Sequence, residues 1–299
     1  TLGLTALAVL TGLGGGVALW WAGSGRLGGR TVLVAAAAVA VATVLGTVLV
    51  VADGLEHAYL PFFALVHHVY LVGTVTVPLV GVGLGVALLR RGGARWWWAL
   101  VAVMLLPAPV GAYATHVAPY RIEVDRHVVA IDPARAGGDD VRIAVLADLQ
   151  TNGIGDHERA AVAAIMAAEP DVVVIPGDLF HGTRAELGPV LEDLRDLLGD
   201  VRAPHGVFFV RGDADGGGSD GLQGHVDTIL DGLDHITVLD DEVAEVRVGD
   251  RTLVFGGTRL EHDVPDVTTP GGDRVRGRLL AQPADGAIAV HLSHRPDAV

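Results

Sequence analysis

The sequence predicts an all-α transmembrane bundle of about four spans at the N-terminus, followed by an α/β domain. Three observations carry this. Four long apolar stretches occupy residues 1–117, alternating strand and helix patterns occupy 141–299, and charge is divided unequally between these parts. Residues 1–117 hold five Arg and two acids, Asp53 and Glu56, whereas 118–299 hold 16 basic and 33 acidic residues. The strongly acidic part is a poor surface for a polyanion, so nucleic acid is not expected as a partner. The chain has no cysteine, which removes disulfides, thiolate metal sites and a Cys nucleophile.

The apolar stretches are 1–22, 31–52, 60–89 and 96–117, each long enough for the roughly 20 residues that cross a hydrocarbon core. The loops "SGRLGGR" (24–30) and "RRGGAR" (90–95) carry Arg, and the loop between spans two and three carries acids and no Arg. The positive-inside rule then places both Arg loops in the cytoplasm. An even number of spans puts the C-terminal domain outside, giving a multi-pass cell-membrane protein with an extracytoplasmic domain. Trp20, Trp21 and Trp96 to Trp98 lie near span ends, where aromatic residues favour the interface. His67 and His68 fall inside the third stretch. Intramembrane histidines can ligate haem or carry protons; the preferred reading is a neutral imidazole in an interhelical hydrogen bond.

A connector, 118–140, leaves the membrane and has the pattern of an edge strand around 121–131. "RIAVLA" (142–147) reads as a buried strand. "DHERAAVAAIMAAE" (156–169) reads as a helix, with Asp156 as N-cap and Pro170 beyond its end. "DVVVIP" (171–176) and "GVFFVR" (206–211) are further strands. "RAELGPVLEDLRDLLG" (184–199) and "GLQGHVDTILDGL" (221–233) are helical patterns. "ITVL", "EVAEVRVGD" and "RTLVFGGT" read as shorter strands with a turn at Gly249-Asp250, and "AIAVHLS" (287–293) is the last strand. The result is a largely parallel sheet with a mixed or doubled portion.

Sites in such sheets form beyond the carboxyl ends of the strands. Asp148 and Gln150 follow the first strand, Asp178 and His181 the second, Asp213 and Asp215 the third, and His294 and Asp297 the last. Gly177 and Gly212 precede two of these carboxylates and let the backbone turn sharply. Oxygen and nitrogen donors converging from four strand ends point to a divalent metal site.

With "ADLQ", "PGDLFHG", "RGDAD" and "LSHRPD", and the flanks "PDVVVIPGD" and "PHGVFFVRGD", residues 140–299 resemble the calcineurin-like metallophosphoesterases, particularly their membrane-attached bacterial branch. The resemblance does not cover the apolar stretches. It implies an αββα sandwich and hydrolysis of phosphomonoesters or phosphodiesters by a metal-activated hydroxide at two divalent ions. On its pattern Asp148 falls on the first-metal Asp, Gln150 on a ligating His, and Asp178 on the carboxylate that bridges the ions. Asp213 falls on the Asn of the second metal, and His294 on one of that metal's His ligands. Ala214 falls on the His that contacts phosphate and helps the leaving group. His181 replaces the second Asp of its motif, and Asp215 matches the last Asp of the third. These two are the remaining catalytic candidates. The closing Gly-His-x-His motif has no match before Val299, which implies a domain incomplete at that end.

Gln150 and Asp213 replace nitrogen by oxygen and neutral by anionic oxygen, which favours Mn²⁺, Mg²⁺ or Ca²⁺ over Zn²⁺. Ala214 removes a general acid ordinarily worth about 10²–10⁴-fold, and His181 or His225 is an alternative donor. His157, His205, His235 and His291 read as helix-face, loop or core residues. The expected function is a membrane-anchored phosphoesterase acting on an envelope lipid or a nucleotide. The alternatives are a catalytically degenerate relative that binds a ligand, and a sensor domain on a functional bundle.

Overall fold

The computed structural model describes residues 2–21, 37, 39–41, 43–48, 60–131, 137–151, 153–182, 184–212, 215, 225–258, 270–281 and 287–294. The chain divides into two compact units, Thr1–Arg121 and Ile122–Val299.

The first unit is helical. Helix α1 spans Leu2–Trp21. Helix α2 (Leu60–Leu71) runs through a π-helical stretch, Val72–Thr76, directly into α3 (Val77–Arg91). Helices α4 (Trp96–Leu105) and α5 (Pro107–His116) follow. Among the described residues two helices are long and apolar enough to cross a membrane, Leu65–Arg91 with 27 residues and Trp96–Tyr120 with 25. The expected 31–52 span lies largely outside the described residues, although 39–41 and 43–48 are helical.

Glycines set the crossing of α1 and α3. A Cβ on Gly83 would overlap Gly16 Cα and lie 2.8 Å from Gly16 O. Small residues allow the backbones to approach this closely, so that the two helices gain dispersion contacts along the crossing. Beside this crossing the buried Thr76 hydroxyl donates to Ala8 O at 2.9 Å. His68 is 1% exposed, and its Nε2 lies 3.2 Å from Thr43 O. A carbonyl only accepts, so Nε2 donates. This is an interhelical bond of the kind expected for one of the two histidines of the third apolar stretch.

The second unit holds two sheets. Strands β1 (Ile143–Val145), β2 (Val172–Ile175), β3 (Val207–Phe209) and β4 (Ile236–Val238) form a parallel sheet in that order. Strands β5 (Val243–Val248), β6 (Arg251–Gly257) and β7 (Ala287–Leu292) form a mixed sheet. The β5–β6 pair is antiparallel across the expected turn, with Gly249 at φ 58°, and β7 runs parallel to β6.

Strand periodicity decides what each face buries. Val173, Ile175, Val207 and Phe209 pack with Val162, Leu194 and Ile229 of helices α6 (Asp156–Ala167), α7 (Arg184–Gly199) and α8 (His225–Leu230). Their neighbours Val172, Val174, Phe208 and Val210 point the other way and pack with Leu253, Phe255 and Leu292 of the second sheet. Phe208 and Phe255 stack with centroids 4.8 Å apart. On the far side of the second sheet, Val254 packs with Val275 and Leu279 of α9 (Pro270–Leu280).

Several expectations are corrected. Residues 121–130 are exposed, and 121–131 form no strand. Alternation makes a segment amphipathic but does not give it a ladder partner. β1 is an edge strand, not a fully buried one. Ile143 and Val145 are 37% and 60% exposed, whereas their register partners Val172 and Val174 are buried. Helix α6 begins at Asp156 itself, after Gly155, whose N–H the Glu158 carboxylate accepts at 2.8 Å. It ends at Ala167, and Glu169 closes the turn at φ 50°. Helix α9 has no counterpart in the sequence reading.

Candidate metal centre

The loops after β1 and β2 keep pairing beyond the strands. Asp148 N donates to Gly177 O at 3.3 Å, Gln150 N to Asp178 O at 2.7 Å, and His181 N to Thr151 O at 3.2 Å. A single parallel bridge, Thr151 to Phe180, continues the ladder. The chain turns within this ladder by left-handed residues. Asp148 (φ 52°), Gln150 (φ 35°) and Asp178 (φ 61°) are three of the five such non-glycine residues among those described. Strained backbone gathered at one place points to a functional constraint there.

The glycines make the second and third loops meet. A Cβ on Gly177 would overlap Gly212 N and fall 2.6 Å from Gly212 Cα. A Cβ on Gly212 would overlap Asp178 Oδ1 and fall 2.8 Å from Asp178 N. The position of Asp178 therefore requires glycine at 212.

Asp148, Asp178 and His294 come together, with one ligand atom of each within 4.8 Å of the others. His294 Nε2 lies 3.5 Å from Asp178 Oδ2, and His294 Nδ1 lies 4.0 Å from Asp148 Oδ1. Asp178 is fully buried, while the Asp148 side chain is 60% exposed. His294 Nδ1 sits 2.9 Å from Pro176 O. Because that carbonyl accepts, Nδ1 carries the proton, and in the neutral ring Nε2 presents its lone pair. A backbone carbonyl orienting the ring in this way is the usual support of a metal-ligating histidine. In the neutral ring the Nε2 lone pair would face Asp178 Oδ2, a repulsion that a cation between them or a proton on Nε2 relieves, and two carboxylates with one imidazole are a donor set that fits a divalent cation.

Asp215 is buried but faces the backbone. Its Oδ2 accepts the N–H of Asp178 and that of Gly212 (3.1 Å), and its Oδ1 accepts the N–H of Leu179 (3.1 Å). Burial pushes the Asp215 carboxyl above its ordinary range, and the three backbone donors and His294 oppose that. With its acceptor sites used on the loop, Asp215 holds Asp178 in place. The sequence reading had it as a catalytic candidate.

The expected site is thus brought together in part. Asp148, Asp178 and His294 converge, and Gln150 touches Asp178 through Nε2, which donates to Oδ2. The exposed His181 is not in the cluster. His225 is buried, with its ring edge-on to Phe180 at 6.0 Å. Asp213, Ala214 and Asp297 lie outside the described residues. The Pro176 carbonyl was missed, and a main-chain acceptor leaves no trace in residue type. No protein-family model matches the chain, and no curated protein matches it.

Proposed function

We propose that the chain is a membrane-anchored, metal-dependent phosphoesterase of the calcineurin-like kind. The observation that carries this is the convergence of Asp148, Asp178 and His294 at strand ends, with the His294 tautomer fixed by Pro176 O. The packing order of helices, parallel sheet, mixed sheet and helix is also what an αββα sandwich requires.

Asp148, Asp178 and His294 would hold the cation, and Asp215 and Gln150 would position Asp178. A divalent cation at this place supplies Lewis-acid charge for a phosphoryl oxygen and makes water a better nucleophile. Oxygen-rich donors with one imidazole favour Mn²⁺ or Mg²⁺ over Zn²⁺. Asp148, the exposed member, opens the site to solvent and to a phosphoester. The substrate class is a phosphomonoester or phosphodiester, and a membrane-attached chain favours an envelope lipid or a nucleotide at the membrane surface. The Arg loops at 24–30 and 90–95 support a multi-pass arrangement with the second unit outside the cell.

The direct test uses the full chain in detergent with Mn²⁺ and aryl phosphoesters. Turnover that Asp178→Asn abolishes is the expected result. Absence of turnover by the unmodified chain on both monoesters and diesters would overturn the reading. A second reading, a fold that binds a phosphorylated ligand without hydrolysing it, is favoured by the Gln150 amide on Asp178. Saturable binding of a phosphoester without turnover would select it.

A further inference from the structure

We infer that Arg211 is a positioning residue for the metal centre. Paired with Asp240 and Asp227, it locks the carboxyl ends of the two sheets in the arrangement that brings His294 to Asp148 and Asp178. This rests on the metal-site reading above.

The three donors come from both sheets. Asp148 and Asp178 follow β1 and β2 of the parallel sheet, and His294 follows β7 of the mixed sheet. Their meeting depends on how the sheets are held together at this end. Gly257, the last residue of β6, lies against the first sheet just past β3 and β4. A Cβ on Gly257 would overlap Leu239 O and fall 2.6 Å from Val210 Cγ1. The next residue, Thr258, donates its N–H to Leu292 O at 3.1 Å, and His294 follows Leu292 by two positions. The path from the end of the first sheet to the histidine is therefore short and packed.

Arg211 and Asp240 are the residues that follow Val210 and Leu239. Arg211 Nε donates to Asp240 Oδ2 at 2.7 Å, and Nη2 donates to Asp227 Oδ1 of α8 at 2.6 Å. One guanidinium thus ties the end of β3 to the end of β4 and to a helix. Its planar fork fixes the angle between these partners, which an apolar contact would not. The Arg211 side chain is 14% exposed and that of Asp240 28%, so solvent screens this pair less than a surface pair. Arg211 also precedes Gly212, which packs onto the Asp178 carboxylate and donates its N–H to Asp215. Displacement of residue 211 is passed to Asp178 through Gly212. It is passed to His294 through Val210, Gly257 and Leu292.

The test is a Mn²⁺ titration of the chelator-stripped full chain in detergent, read by the electron paramagnetic resonance signal of the free ion, with denaturant melts alongside. Arg211→Met keeps an apolar stem and removes the fork. Its expected signature is Mn²⁺ affinity lowered by about 10–100-fold in protein that still melts cooperatively. Arg195→Met is the comparison. Arg195 is also partly buried and donates to Thr228 O and Ile229 O of α8, so its loss should lower the melting midpoint and leave Mn²⁺ affinity unchanged. Unchanged affinity in Arg211→Met, or an equal loss in Arg195→Met, would overturn the inference and leave the metal site standing. An unmodified chain that binds no Mn²⁺ would overturn the metal site itself. Should Arg211→Met fail to fold, Arg211→Lys carries the same readout. Its ammonium keeps the charge without the fork, so a smaller loss is expected and unchanged affinity would again overturn the inference.

Discussion

Gly177 and Gly212 lie against one another with no room for a side chain on either. A Cβ on Gly177 would fall 2.6 Å from Gly212 Cα, and one on Gly212 would overlap the Asp178 carboxylate. Gly212→Ala should destabilise the second unit by about 2–3 kcal/mol, because the obstacle is backbone and a buried carboxylate. It should also weaken Mn²⁺ binding. Denaturant melts and a metal titration on the same preparation check both effects, and unchanged metal affinity would contradict the placement of Asp178.

Asp215 acts through the loop it holds. Asp215→Ala would leave three buried N–H donors unsatisfied, at a cost of about 3 kcal/mol or more. Asp215→Asn keeps one acceptor and should fold. Its expected signature is Mn²⁺ affinity reduced by about 10–100-fold, as for other supports of metal ligands. Its substrate KM at saturating metal should change little. A variant with normal metal affinity would show that Asp215 does not position the site.

His291 gives the fold a pH dependence. It lies on β7, with Nε2 3.2 Å from the Thr258 hydroxyl. Burial, and secondarily the charge of Arg276, lower its pKa below the ordinary value. The unfolded chain then binds the proton more readily than the folded one. The stabilisation is complete above the ordinary histidine pKa, about 6.5. It is lost as pH falls through the lowered folded value. Equilibrium melts from pH 7.5 down to 5 should show this slope, and His291→Gln should flatten it. An equal slope in the variant would assign the acid sensitivity elsewhere.

The crossing of α1 and α3 is testable by size alone. Gly83→Val should separate the helices, since a Cβ there overlaps Gly16 Cα. Because the chain has no cysteine, a cysteine placed on each helix reports the crossing without background. Crosslinking between the two should fall sharply with Gly83→Val and persist with Gly14→Val, whose Cβ meets nothing within 4 Å.

Strand positions were legible because runs such as "DVVVIP" are apolar on both faces, as a central strand between two packed layers must be. Asp148, Asp178 and His294 were legible because residues just past strand ends converge whatever the loops do. Helix α9 was not, since "PGGDRVRGRLL" buries little beyond Val275 and Leu279 and carries three glycines and four charges. The exposed face of β1 was not legible either. Ile143 and Val145 are as apolar as Val172 and Val174, and only the layer above them distinguishes their burial. Gln150 was placed by sequence position, but which end of an amide faces a carboxylate is decided in three dimensions.

The hydrogen bond from His294 to Pro176 O has a consequence in time. The Pro176 carbonyl orients the ring, and the Asp215 carboxylate holds the Asp178 loop. On the proposed metal-dependent reading, an arriving cation would meet ligands whose orientation is set by neighbours outside its own coordination sphere, so loading would call for little rearrangement.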